Sequence, residues 1–286
     1  MHQLAQHYTR VLTIAGSDCS GGAGVQADLK TFAALGCYGM SAITALTAQN
    51  TQGVQGIHAP PPDFLAAQLD AVLQDIGADA VKIGMLAAPE VVAVVAAAID
   101  RYAMQRVVLD PVMVSATGAR LIEPPAVEAL VQSLFPRVQL ITPNLDEAAL
   151  LLGQPVARAA DMLPAAQGLQ ALGAPAVLMK GGHLAADGAG AAVDDLLLLP
   201  SGQALWLQHP RIATRNLHGA GCTLSSAIAA YWALGLDLPQ AVQAGCDFVH
   251  QALAAGQAVQ TGRGTGPLNH GFAPVPMVVQ PKFTHV

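Results

Sequence analysis

Short aliphatic runs alternate with longer segments of helical spacing along the chain. VLTIA (Val11 to Ala15), DAVKI (Asp79 to Ile83), VVLD (Val107 to Asp110), VQLIT (Val138 to Thr142) and AVLMK (Ala176 to Lys180) are mostly continuous rather than alternating. That is the pattern of strands covered on both faces. Between them apolar residues recur at helix spacing. After PPPD, Leu65, Leu69, Val72 and Ile76 line one face, and Gly77 stops the run. Pro89 opens the following helix at its first turn, over Ala88 to Arg101. The alternation predicts βαβ units: an α/β chain with a mainly parallel, doubly wound sheet and helices on both sides. DDLLLLP and QALWLQH, separated by SG, predict a hairpin. The stretch from Gly36 to His58, rich in Thr, Gly and Gln, is expected to hold short strands outside the main sheet. Neither a repeat nor a linker divides the chain. One domain is therefore expected over residues 1–271, followed by a tail (272–286) whose three prolines argue for an extended, loosely docked end.

Composition supports this picture. The 286 residues suit one large core. Hydrophobic residues make up 53% and charged residues only 11%, well under the usual quarter, so much of the chain must be buried in layers. The longest apolar run, Val91 to Ile99, is about half a membrane span, which argues against a membrane protein. A net charge of −6 provides no basic surface for nucleic acid. The first residues carry no secretion signature, and the four cysteines make no CxxC pair. The expectation is a cytoplasmic protein with free thiols.

Ligands of open parallel sheets bind beyond the carboxyl ends of the strands. Here those ends read GSDCSGGAG (Gly16 to Gly24), GML (Gly84 to Leu86), DPV (Asp110 to Val112), PN (Pro143, Asn144) and KGGH (Lys180 to His183). Each is an ordinary turn by itself, but the five converge on one rim. GSDCSGGAG contains neither GxGxxG in register nor GxxxxGK[ST], so no dinucleotide or Walker-type loop is expected. Asp28, four residues beyond it, is either a solvated acid early in the next helix or a carboxylate facing the rim. In TPNLDE, Asn144 and Glu147 have capping-box spacing, and Glu147 is also suited to help hold Mg²⁺ through water.

NLHGAGCT (Asn216 to Thr223) precedes Leu224, Ile228, Tyr231 and Gly235 at helical spacing, so Gly219 to Cys222 should form the first turn of a helix. Free N–H groups at a helix start make an anion site. A cysteine placed there is expected to have its thiol pKa lowered from about 8.5, unless it is simply a small buried residue at a tight turn.

With these residues assembled, the chain resembles the ribokinase-like superfamily. More narrowly, it resembles the hydroxymethylpyrimidine/phosphomethylpyrimidine kinases of thiamine biosynthesis. The resemblance runs from Val11 to His270. It is carried by AGSDCSGGAGVQADLKTFAALGCYGMSAITALTAQNT, AVKIGML, VVLDPVMV, LITPNLDEA, VLMKGGH and HGAGCTLSSAIAA. It implies a three-layer α/β/α fold and two successive ATP-dependent phosphorylations of a pyrimidine alcohol. Gly16, Asp28, Gln49, Met85 and Val112 would surround the pyrimidine. Gly219, Ala220 and Gly221 would form the anion hole, and Cys222 would be the catalytic base. Asp110 and Glu147 would lie near Mg²⁺, and Asn144, Lys180, Gly182, Thr214 and His218 near the nucleotide. ATP and Mg²⁺ are the implied cofactors, with K⁺ a candidate assisting cation. A homo-oligomer is expected, a dimer being favoured. The family has threonine where this chain has Leu217 and Ala220, and relatives often carry a lysine in place of Cys246.

Pyridoxal-type alcohols are the nearest alternative substrates. A non-catalytic sensor would be expected to lack Cys222, Asp28 or the GAGC glycines, and all are present. A nicotinamide-dependent oxidoreductase would require the missing GxGxxG.

Overall fold

A computed structural model of the protein describes residues 6–113, 122–182 and 192–281. His183 of KGGH lies outside the described residues. In chain order the strands are β1 (Gln6–Tyr8), β2 (Arg10–Gly16), β3 (Tyr38–Asn50), β4 (Gly53–His58), β5 (Ala80–Ile83), β6 (Val107–Leu109), β7 (Leu140–Ile141), β8 (Val177–Met179), β9 (Ala192–Leu198), β10 (Ala204–Pro210) and β11 (Val279–Pro281). The helices are α1 (Gly24–Ala34), α2 (Pro62–Asp75), α3 (Pro89–Arg101), α4 (Pro124–Ala129), α5 (Leu145–Leu152), α6 (Ala159–Ala171), α7 (Ala220–Ala233) and α8 (Leu238–Gly256).

The main sheet has nine strands in the order β10-β9-β8-β7-β6-β5-β2-β3-β4. From β8 to β3 the pairings are parallel. β9 runs antiparallel to β8, and β10 turns back antiparallel to β9 in the hairpin that its sequence predicts, which closes one edge. Strand order reverses at β2, which has β3 on one side and β5 on the other. That reversal opens a crevice at the carboxyl ends of the strands.

Side-chain parity divides the core in two. Leu12, Ile14, Val81, Ile83, Val107, Leu109 and Met179 pack with α2, α3, α4, α5 and α6. Val11, Ala80, Val108, Leu140 and Leu178 pack on the other face with α1, α7 and α8. The expected α/β/α layering is therefore present.

The stretch from Gly36 to His58 departs from expectation. Tyr38 to Ala45 pairs with β2 and belongs to the main sheet; only the later part of β3 projects, pairing with β4. Alternate positions Met40, Ala42 and Thr44 are buried. Small and hydroxyl side chains there fill a tightly packed strand without the aliphatic run that marks the others. Residues 275–281 run extended against the end of α1, with Val275 N–H donating to Ala34 O and Val278 N–H to Gly36 O; β11 then pairs with β1. Among the described residues no helix is long and apolar enough to cross a membrane.

Candidate active site

A cavity of about 940 Å³ occupies the crevice. It lies at the upper end of the range for small-molecule sites and has room for more than one ligand. Gly16, Gln49, Met85, Asp110, Val112, Asn144, Glu147, Lys180, Gly182, Thr214, His218 and the whole Gly219–Cys222 turn line it. The strand ends converge as their sequence implies.

The turn is built around Gly219, the N-cap of α7, which has φ +85°. A side chain there would both strain the backbone and collide with the Gly22 carbonyl. The amides of Gly221 and Cys222 have no hydrogen-bond acceptor among the described residues and begin α7, so they form the anion cradle. Ala220 differs: its N–H donates to Leu217 O at 3.1 Å, so it is a structural member of the turn rather than a free donor. A Cβ on Gly221 would lie 3.3 Å from Lys180 Nζ, so the missing side chain lets that ammonium approach the cradle.

Cys222 is half-buried and receives a hydrogen bond from the Gly24 amide at the start of α1, so two helix starts meet at the thiol. Its pKa nevertheless moves opposite to the expected direction. Burial, aided by the carboxylates of Asp28 and Asp110, pushes it up to about 11 against the pull of Lys82 and the Gly24 amide. Reasoning from the helix start alone missed this, because the opposing carboxylates arrive from α1 and β6.

At the rim, Lys180 Nζ donates to Asp110 Oδ1 at 2.8 Å and lies 3.7 Å from Glu147 Oε2. Thr142 Oγ1 also donates to Asp110 Oδ1, leaving Oδ2 turned toward Gly221. Burial raises the Asp110 pKa, but Lys180 and Lys82 outweigh it and hold the carboxyl below its ordinary range. Glu147 is pushed up to about 7 by burial and by Asp110, against Lys180. The capping box is present in both directions: Asn144 N–H donates to Glu147 Oε2 at 2.8 Å, and Glu147 N–H to Asn144 Oδ1 at 2.9 Å.

Two expected residues are placed differently. Asp28 is fully buried and does not line the cavity. Its oxygens accept from Lys82 Nζ at 3.0 and 2.9 Å, Thr13 Oγ1 at 2.6 Å and Ser226 Oγ at 2.7 Å. It is neither a solvated acid nor a carboxylate facing the rim. Burial and this set of donors hold it inside the fold, against Lys82. His218 lines the cavity beside Gln49. It bonds Asp18 Oδ2 at 2.7 Å and lies 3.4 Å from Gln49 Nε2. Burial raises the Asp18 pKa, but His218, Ser20 and the Ala23 amide outweigh it and hold the carboxyl well below its ordinary range. Asp18 thereby ties the first glycine loop to the α7 turn.

Residue-by-residue reading also missed Lys82, Asp18, Asp195, His209 and His250, all of which line the cavity. Lys82 had a signal: it is a lysine inside an otherwise apolar strand. Asp195 and His209 had none, because their hairpin reaches the crevice only through the sheet order. Asp195 accepts from Gly181 N–H at 2.8 Å and faces Cys246 Sγ at 3.8 Å, at the position where relatives often carry a lysine.

The chain is similar to known proteins along most of its length. The family model for phosphomethylpyrimidine kinase matches residues 18–269. The hydroxymethylpyrimidine/phosphomethylpyrimidine kinase of Escherichia coli is 50% identical over 263 residues, which are 92% of this chain and 97% of that protein. A crystal structure of phosphomethylpyrimidine kinase from Clostridium difficile is 41% identical. It covers 85% of this chain and 99% of its own, with a TM-score of 0.74. An ADP complex of Bacillus subtilis pyridoxal kinase is 36% identical and covers 92% of this chain and 98% of its own, with a TM-score of 0.84. From Asp18 through the α7 turn to Asn269, the chain belongs to the phosphomethylpyrimidine kinase family.

Proposed function

We propose that this kinase transfers the γ-phosphoryl group of ATP to the hydroxymethyl group of 4-amino-5-hydroxymethyl-2-methylpyrimidine, and a second such group to the resulting monophosphate. The observation that carries the reading is the opening of the Gly221–Cys222 amides, with the Cys222 thiol, onto a cavity lined by both Lys82 and Lys180. Gln49 offers both a donor and an acceptor to the edge of an aminopyrimidine. Met85 and Val112 supply apolar contact, and Gly16 keeps the wall close.

Little covalent chemistry falls to the protein in phosphoryl transfer, so positioning and charge stabilisation dominate. Lys180 and the cradle amides hold the transferring group. Asn144, Gly182 and Thr214 border the nucleotide. Cys222 Sγ takes the hydroxyl proton in the first transfer. With its pKa at about 11 the resting group is the thiol, and Lys82, the nearest cation, favours the thiolate that this step needs. The acceptor phosphate of the second transfer is already anionic, so no base is required there.

Mg²⁺ fits the rim. Asp110 Oδ2 and Glu147 are buried carboxylates facing the cavity, and no group of three or more His, Cys, Asp or Glu side chains able to hold a metal occurs among the described residues. Two carboxylates completed by substrate phosphates and water are what Mg²⁺ prefers. When bound, it would neutralise charge on the phosphates; Asp110 and Glu147 are the residues that would hold it.

The test is Cys222→Ala, assayed separately on the alcohol and on the monophosphate. A loss of about a hundredfold or more in the first transfer and a clearly smaller loss in the second is expected. Equal losses would make the cysteine structural. The fold overlap with pyridoxal kinase supports a side activity on pyridoxal-type alcohols, which turnover of the two alcohols in parallel would measure. A dimer is the expected assembly. The ribbon around β3 and β4 carries the exposed side chains Leu46 and Ile57, with Phe64 nearby in sequence on α2. Light scattering would test it.

A further inference from the structure

Strand β5 is buried at every position. Parity sends Val81 and Ile83 to one face and Lys82 to the other, toward α1 and α7. There the Lys82 ammonium grips both oxygens of Asp28, and neither side chain has any exposed surface. With Thr13 and Ser226 also donating, the carboxylate is saturated. The ammonium is not. It has three N–H donors, two of which point at Asp28, and the third meets no acceptor among the described residues. Lys82 nevertheless lines the cavity. Gly84 places no side chain beside its tip, where a Cβ would stand 3.0 Å from Nζ.

Stability does not explain this pair. Taking two charges out of water is expensive, and an apolar pair of similar volume is often as stable or more so. Position suggests a different role. After Asp28, the ionisable groups that act most strongly on Lys82 are Cys222 and Asp110, and Met85 follows three residues later in the chain.

We infer that Lys82 is a catalytic residue whose third N–H donates to the acceptor oxygen: the hydroxymethyl oxygen in the first transfer and a phosphate oxygen of the monoester in the second. This rests on the cavity being the site of both transfers. In the first, the hydroxyl oxygen bonds to the γ-phosphorus as the bond from that phosphorus to the bridging oxygen of ATP breaks. ADP departs with the electron pair, and the hydroxyl proton goes to the Cys222 thiolate, the thiol having first released its own proton to solvent. Lys82 neither gains nor loses a proton. In the second transfer a phosphate oxygen attacks with no proton to remove, and Lys82 offsets the repulsion between acceptor and donor phosphates. Asp28 is the positioning residue that aims the ammonium.

Lys82→Met alone would strand a buried carboxylate. The test therefore uses the neutral pair Lys82→Met with Asp28→Asn, which keeps partners for Thr13 and Ser226, and a thermal melt verifies the fold. Both transfers should fall by about a hundredfold or more. Calorimetry without nucleotide should show monophosphate binding weakened at least about tenfold, with alcohol binding changed less. Loss confined to the alcohol transfer would mean that Lys82 acts only through Cys222, and would overturn direct contact. Unchanged turnover would overturn it as well. Wild-type enzyme inactive on both pyrimidines would overturn the functional reading itself, a result distinguishable from either.

Discussion

The Lys82–Asp28 pair has no exposed surface, whereas Lys180 and Asp110 keep 14% and 1% at the rim. Both lysines approach an aspartate within 3.0 Å, and both line the same cavity. The difference lies in what each leaves unpaired. The inner node saturates its carboxylate and keeps a spare donor, as suits an acceptor oxygen. The rim node spends its lysine on Asp110 and keeps a spare carboxylate oxygen beside Glu147, as suits a cation-bound phosphate. One cavity therefore presents opposite chemistry at two places.

Lys180→Met should produce the largest effect on activity, about a thousandfold in kcat/KM for both transfers, or about 4 kcal/mol. Its effect on stability should be limited, because Glu147, with a pKa of about 7, can take up a proton once its cation is gone. Initial rates and urea titrations would measure the two quantities separately.

Asp28→Leu should reverse that balance. Removing one partner of a sealed pair leaves Lys82 uncompensated, at a cost of about 3–5 kcal/mol in urea unfolding. If this variant loses no more stability than Lys180→Met, the distinction between a sealed node and an open one fails.

The two nodes also differ in how legible they were. The rim could be read directly, since Lys180, Asp110, Asn144 and Glu147 stand where aliphatic runs end, and strand ends are where parallel sheets place ligands. Asp28 and Lys82 are 54 residues apart in the chain and meet only because parity turns Lys82 toward α1. A carboxylate near a glycine loop looks solvated until its partner strand is known. The Cys222 pKa failed for a related reason: the helix start is local and visible, whereas the burial that opposes it, and the carboxylates that add to that burial, arise only from tertiary packing. Strand β3 was misplaced because Gly39, Ser41 and Thr44 disguise a sheet position as a loop.

Acid sensitivity offers a sharper comparison, because it should come mainly from neither node. His270, beneath the α7 turn, bonds Thr223 Oγ1 at 2.9 Å, and that hydroxyl in turn donates to Gly219 O. Burial, aided by Lys30, lowers the His270 pKa to about 4. The unfolded chain, with histidine near 6.5, binds the extra proton first as pH falls. Stability is thus complete above about 6.5 and declines toward pH 4, by about 3 kcal/mol in total. His270→Gln should flatten most of that limb in denaturation curves measured across the window. An unchanged limb would assign the acid loss elsewhere.

The smallest effect is expected where the turn departs from its relatives. Ala220 stands in place of a family threonine, between the two nodes, and its amide is already engaged by Leu217 O. The donors that matter are those of Gly221 and Cys222, and a hydroxyl at position 220 adds nothing to them. Ala220→Thr should therefore change kcat/KM by no more than about twofold, within the 0.5 kcal/mol or so typical of changes that touch no partner. A gain of about tenfold or more in either transfer would mean that a side-chain donor at 220 reaches the phosphoryl group. The cradle would then be wider than the two free amides imply, and the division of labour between Lys82 and Lys180 would have to include it.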